Sequence, residues 1–295
     1  MKHDGVTVCS ARAIAVLAVA AGVALLACAG ASPTPEHAAL PEMTHERCGD
    51  GAHPIEILAA DVVIAIDRST STREPTGLDL DGDGRIGEFR RSTYTDRGDS
   101  LFAAELAAVA RLIAVARLGG MRFAIVSYSG RETHPLEDSA TQHVDRQDAR
   151  LEAALTDDLA ELEAAVARVA DRGPDGASSF APAMRLAVRS LVADPGDGTA
   201  RRRRVLFLAD TPTPVRYAPM DRIAYDDARM EIEARRAIAS RVSFHSFGIG
   251  EAATADPAHA LAQIAGATGG TYRAVPDPRG LYCQMLAALG AHDPR

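Results

Sequence analysis

The chain has 295 residues, 47% of them hydrophobic and 24% charged, with a formal net charge of −8. This mixture excludes both a disordered chain and a multi-span membrane protein. The acidic balance and the scarcity of aromatic residues, 4% with no Trp, remove the positive field and stacking surfaces that nucleic acid requires, so no nucleic-acid partner is expected.

In chain order, Lys2 and Arg12 come before an uncharged, Ala/Val/Leu-rich stretch, residues 13–27. It has the length of a signal-peptide core and is short for a bilayer span. It closes with Leu25-Leu26-Ala27-Cys28, which resembles the lipobox of bacterial lipoproteins. That resemblance implies cleavage before Cys28 and lipidation of its sulfur. With Ala29 next, it also implies sorting to the outer membrane of a Gram-negative cell. An ordinary cleaved signal or an uncleaved anchor is the alternative. Residues 28–47, with Ser32-Pro33-Thr34-Pro35, lack apolar periodicity and read as a flexible tether. The expected organisation is a signal over 1–27, a tether over 28–47 and one domain over 48–295.

Of four cysteines, Cys9 falls in the signal and Cys28 at the lipidation point. Cys48 and Cys283 remain, near the first and last elements of the domain and in an oxidising compartment. A disulfide between them is expected, with two buried free thiols as the alternative.

From Ile57 the hydrophobic period alternates between strand and helix. Residues Ile57 to Ile66 form an almost continuous apolar run ending at Asp67, a strand buried on both faces. Phe102, Leu106, Val109, Ile113 and Ala116 mark one helix face, with Asp99 or Ser100 as N-cap and Gly119-Gly120 as the stop. Arg122 to Tyr128 is the next strand, followed by a short edge strand around Arg150 to Leu155. Helices are predicted around Leu159 to Val169, over Ala181 to Leu191, over Tyr225 to Arg241, over Pro257 to Ala267 and from Arg279. Strands are predicted over Arg204 to Ala209, Val242 to Ile249 and Thr271 to Ala274. The run Arg201 to Arg204 reads as a solvated strand entrance. This alternation implies a doubly wound α/β fold, with a mostly parallel sheet and helices on both faces. Such sheets bind ligands at the carboxyl ends of their strands.

Three loops at that edge carry oxygen donors: Asp67-Arg68-Ser69-Thr70-Ser71, Gly176-Ala177-Ser178-Ser179 and Asp210-Thr211-Pro212. Two carboxylates and three hydroxyls without His or Cys suit Mg²⁺ or Mn²⁺. Asp-x-Ser-x-Ser after the first strand, a hydroxyl opening a later helix and Asp after a third strand resemble the von Willebrand factor type A (vWA) domain. The resemblance spans about Ile57 to Leu289 and includes Phe247-Gly248-Ile249-Gly250 and Thr268-Gly269-Gly270-Thr271-Tyr272. It implies a metal-ion-dependent adhesion site at Asp67, Ser69, Ser71, Ser178 and Asp210. The three hydroxyls would bind the ion directly or nearly so, and the two Asp mainly through water. The open position would accept an Asp or Glu from a partner protein. Ser178 stands where Thr is more usual, with Ser179 as the alternative ligand, and Thr211-Pro212 replaces the usual Gly.

An insertion over residues 72–98 separates Ser71 from the first helix. It contains Asp79-Leu80-Asp81-Gly82-Asp83-Gly84-Arg85-Ile86, with Asp at positions 1, 3 and 5 and Gly at 6 of an EF-hand-like calcium loop. Arg85 takes position 7. The bidentate Glu of position 12 falls on Arg90, leaving Glu88 as the acid of a shortened loop. Calcium is the expected ligand, and a polar Asp/Gly turn the alternative. Arg97-Gly98-Asp99 lies at a helix start, where Asp99 has an ordinary capping role.

No HExxH, GxSxG, CxxC pair, P-loop or helix-opening GxGxxG occurs in context, and His245 reads as a core histidine in a strand. The expectation is therefore not an enzyme. It is an exported, lipid-anchored domain that binds a protein through a divalent ion. A calcium-stabilised scaffold with an inert site, or a regulatory subunit of an ATPase, are the alternatives.

Overall fold

The computed structural model describes residue 48 and residues 59–90, 93–94, 96–116, 120–130, 148–194, 201–211, 220–254 and 260–290. The predicted signal, Cys28 and the tether residues before Cys48 lie outside the described residues. Strands are β1 (Ala60–Asp67), β2 (Phe89–Arg90), β3 (Thr93–Tyr94), β4 (Arg122–Tyr128), β5 (Ala149–Thr156), β6 (Arg202–Ala209), β7 (Val242–Ile249) and β8 (Tyr272–Val275). Helices are α1 (Leu101–Ala116), α2 (Leu159–Arg172), α3 (Phe180–Ala193), α4 (Met220–Ala239), α5 (Gly250–Thr254), α6 (Ala260–Thr268) and α7 (Leu281–Gly290). Short 3₁₀ turns cover Thr70–Arg73 and Pro278–Gly280.

Six strands form one sheet in the order β5-β4-β1-β6-β7-β8, and β2 pairs with β3 in a separate ladder. Only β5, at the edge, runs antiparallel to its neighbour. The expected α/β architecture is the one observed.

All eight residues of β1 are buried, because helices cover both faces of its pleat. Val62, Ile64 and Ile66 point into a core shared with α1, α2 and α7. Val63 and Ala65 point into a second core shared with α3, α4 and α6. The period-two alternation of strand side chains explains this split. Among the described residues no helix is long and apolar enough to cross a membrane.

Capping resolves two expectations. Ser100 is the N-cap of α1, its Oγ accepting from the Ala103 amide at 3.1 Å. Asp99 turns away, is buried, and accepts from the amides of Leu80 at 2.6 Å and Gly87 at 2.7 Å. It thereby ties the insertion to the start of α1 rather than capping the helix. The Arg201 to Arg204 run is not wholly solvated. Arg204 is only 4% exposed and donates to the carbonyls of Ala288 and Leu289 at 2.7 and 2.6 Å. These are carbonyls of the last turn of α7, which has no intrahelical partners to offer them.

Cys48 and Cys283 form the expected disulfide, at a sequence separation of 235 residues, and both pack against the α1/α7 core. A loop of that length gives a cross-link worth about 5 kcal/mol in the chain-entropy account. Cys283→Ser is expected to lower unfolding stability by about 2–5 kcal/mol in denaturant titration. A thiol assay on the denatured, unreduced protein should find neither sulfur reactive.

Candidate metal centre

At the middle of the sheet, β1 and β6 lie side by side in parallel. The chain leaves β1 toward β4 on one side and leaves β6 toward β7 on the other. Where neighbouring parallel strands diverge in this way, a crevice opens at their carboxyl ends. Asp67 is the last residue of β1, and Asp210 directly follows β6.

The third loop is held against this crevice by backbone and side-chain bonds. The Thr70 amide donates to the Gly176 carbonyl at 2.7 Å, and the Asp175 amide to the Arg68 carbonyl at 2.6 Å. Arg68 donates through Nε and Nη2 to the Gly173 carbonyl at 3.0 and 2.7 Å. The Ala177 amide donates to the Gly130 carbonyl at 2.9 Å. Gly176 has φ of 83°, and a Cβ there would stand 2.1 Å from the Gly130 carbonyl oxygen. Only glycine accommodates both the backbone angle and the approach.

Asp67 is 0% exposed, and its Oδ1 accepts from the Ser69 amide at 2.8 Å. The Tyr128 hydroxyl lies 2.5 Å from the Leu208 carbonyl and 3.3 Å from Asp67 Oδ2. One proton serves both acceptors, so Asp67 is incompletely paired. The Ser69 and Ser71 hydroxyls are 3.0 Å apart, and both interact with Asp210. Asp210, 3% exposed, has an Oδ1 with no hydrogen-bond partner, and the Oγ of Ser178, 1% exposed, has none either.

The structure thus places Asp67, Ser69, Ser71 and Asp210 together and clamps the loop carrying Ser178 beside them. Ser179 is instead the N-cap residue of α3 and makes no side-chain capping bond. Buried polar atoms are normally paired, and orphans call for an explanation. Here the orphans are hard oxygens, the donors that Mg²⁺ and Mn²⁺ prefer. The donor set fits such an ion.

The electrostatics agree. Burial, then the charge of Asp210, pushes Asp67 well above the ordinary carboxylate range, against the opposing bonds from Ser69 and Tyr128. Burial also pushes Asp210 up to about 6, with Glu74 adding to the rise and the Ser71 and Ser69 hydroxyls opposing it. A bound cation would relieve both groups.

Two residues near the site, Tyr128 and Glu105, were not picked out from the sequence, and Thr211, noted there only as replacing a Gly, has a buried Oγ1 without a partner. Glu105 is buried in α1 with neither carboxylate oxygen paired. A signal for it existed: it lies three residues after Phe102 and four before Val109, on the apolar face of the helix.

In the insertion, Asp79 accepts from the amides of Gly82 and Gly84 at 2.8 and 3.0 Å, and Asp83 from the amide of Arg85 at 2.8 Å. Two groups of carboxylates lie with ligand atoms within 4.8 Å: Asp79, Asp81 and Asp99, and Asp81, Asp83 and Asp96. Glu88 and Arg85 belong to neither group. The β2–β3 pairing turns the chain back, so Asp96 at the far end of the insertion and Asp99 just beyond it meet the Asp/Gly loop.

No family model matches the chain. No curated protein matches it in sequence. Among solved structures, a von Willebrand factor type A protein from Catenulispora acidiphila matches at 20% identity and a TM-score of 0.50, covering 80% of this chain and 44% of that one. The chain therefore spans less than half of that relative. Looser matches are an aerotolerance-related membrane protein from Bacteroides fragilis NCTC 9343 (12% identity, TM-score 0.49, 76% of this chain and 95% of that) and the pilus adhesin SpaC from Lactobacillus rhamnosus GG (12%, 0.48, 79% and 30%). Strand order, the carboxyl-end crevice and the first of these matches define the class: the chain has a vWA-like fold.

A pH dependence follows for the protein in chelator. The folded-state values of Asp67 and Asp210 are raised, so between the ordinary 3.8 and about 6 the native protein holds protons that the unfolded chain has lost. That part of the stability is present at low pH and is lost as pH rises through this window. Thermal melts in chelator should show it, and Asp210→Asn should flatten the slope.

Proposed function

We propose that this chain is a metal-dependent protein-binding domain, exported and lipid-anchored at the cell envelope through Cys28. A divalent ion, Mg²⁺ or Mn²⁺, is held by the hydroxyls of Ser69, Ser71 and Ser178 together with the carboxylates of Asp67 and Asp210. The ion supplies a Lewis-acidic position to which a partner protein presents an Asp or Glu side chain. The chain's own residues pre-set that position: Arg68 and Gly176 fix the Ser178 loop, and the Ser69 amide orients Asp67.

The observation that carries this reading is the pair of orphaned buried oxygens, Asp210 Oδ1 and Ser178 Oγ, at the β1/β6 crevice. The vWA-like fold supports it, and the absence from the sequence of a recognisable catalytic motif is consistent with binding rather than catalysis. The signal-like leader, the lipobox-like Cys28 and the disulfide support export. The insertion is read as a calcium-ordered element beside the ion site, its acids drawn from Asp79, Asp81, Asp83, Asp96 and Asp99.

A second reading, a scaffold stabilised by calcium and the disulfide with an inert crevice, rests on the same carboxylate groups in the insertion. Calorimetric titration with Mg²⁺ and Mn²⁺, under saturating calcium, separates the two. The binding reading expects one ion in the wild type and none in Asp67→Ala; two flat titrations give the lead to the scaffold. Calcium is also expected to slow proteolysis between Thr72 and Arg97 relative to chelator, and equal cleavage rates would remove it from the insertion.

A further inference from the structure

Glu105 has no place in the five-residue pattern, yet it is the most completely buried acid beside it. It lies in the second turn of α1, at 0% exposure, on a helix whose Leu101, Phe102, Leu106 and Val109 all belong to one apolar core. Neither carboxylate oxygen has a hydrogen-bond partner. No arginine pairs with it among the described residues. Burial pushes its carboxyl well above the ordinary range, the charges of Asp67 and Asp210 add to the rise, and the Asp67 backbone opposes it.

An unpaired carboxylate in an apolar core is strongly unfavourable, and a fold that needed only packing would carry Leu or Met there. Asp67, Asp210 and Glu105 are instead all buried and come from three separate elements, β1, the end of β6 and α1, and the start of α1 is tied to the loop after β1 by the Leu101 amide, which donates to the Glu74 carbonyl at 3.0 Å. Three mutually repelling acids share one natural counter-charge, a cation among them.

We propose that Glu105 is a third carboxylate of the metal centre, a positioning and charge-balancing residue that acts on the ion from the α1 side. This rests on the metal reading of the crevice and deepens it. Two carboxylates would neutralise a divalent ion, whereas three leave the site with a net negative charge. The site therefore retains its ion without an outside anion and discriminates strongly for cations. Glu105 also makes the open position less demanding of a partner's carboxylate than a two-acid site would be.

The test uses the full exported chain, with Mn²⁺ alone as probe. Wild type, Glu105→Gln and Glu105→Met are titrated by calorimetry, and each is melted in chelator. Outer carboxylates of metal sites typically contribute 10–100-fold in affinity, so both variants should bind Mn²⁺ at least about tenfold more weakly than wild type. Their melting temperatures in chelator should be unchanged or higher, because an unpaired buried acid has been removed. Acetate should strengthen Mn²⁺ binding more in Glu105→Gln than in wild type. If wild type binds Mn²⁺ and both variants match it, Glu105 is a packing residue and the inference is overturned while the metal reading stands. If both variants melt lower in chelator, Glu105 serves the fold and the inference is likewise overturned. A wild type that takes no Mn²⁺ overturns the metal reading and the inference together.

Discussion

Two parallel strands at the centre of the sheet, β1 and β6, hand the chain off in opposite directions, and the gap this leaves constrains the rest of the molecule. No helix can follow both strands into the same space, so loops must line it. Loop backbone needs polar partners, and here the partners are short: Ser69 with Asp67, Thr70 with Gly176, Arg68 with Gly173. The two apolar cores behind β1 give those loops a rigid floor. At the far end of α2, Gly173 with φ of 62° turns the chain out of the helix toward the crevice and presents its carbonyl to Arg68. The crevice is thus a product of topology, and its polar lining is a product of sequence.

Charge is what the lining has in excess. Asp67 and Asp210 at the crevice, like Glu105 in α1, are nearly inaccessible, and the neighbouring Tyr128 has one proton for two acceptors. Proteins seldom bury acids without a partner, because desolvation exceeds what a few dipoles return. Elsewhere in this molecule buried acids follow the rule: Asp61 pairs with Arg122 across β1 and β4, and Glu233 with Arg185 between α3 and α4. Among the described residues, then, Asp61 and Glu233 have a cationic partner, though Glu233 Oε2 is left without a hydrogen bond, and Asp67, Asp210 and Glu105 have no ion pair.

Much of this was legible in the sequence, for reasons of period. The Arg122–Tyr128 strand and the α1 and α2 helices declared themselves by alternation and by three-to-four spacing. The Asp-x-Ser-x-Ser loop was legible because it directly follows an apolar run. What escaped depends on depth and on chain reversal, which no local window carries. Within Arg201 to Arg204, strand pleating and the approach of α7 decide that Arg204 is the one buried. Asp99 joins Asp79 and Asp81, and Asp96 joins Asp81 and Asp83, because two two-residue strands fold the insertion on itself. Helix α5 has five residues, too few for periodicity to register. Glu105 sat on the predicted apolar face of α1, but one charged residue on such a face reads as an interruption until its surroundings are known.

The disulfide sets how the domain responds to being pulled. Tension between the chain ahead of Cys48 and the chain after Cys283 passes through the sulfur bridge to α7 rather than being drawn through β1. The segment between the two cysteines, at a sequence separation of 235, is thereby removed from the stretch of chain that can be paid out under force. Fully extended, it would otherwise lengthen the molecule by roughly 800 Å. Between those two points the oxidised domain is thus close to inextensible. For a load between those two points, the path runs through one covalent bond and the final helix and leaves the strands out of it.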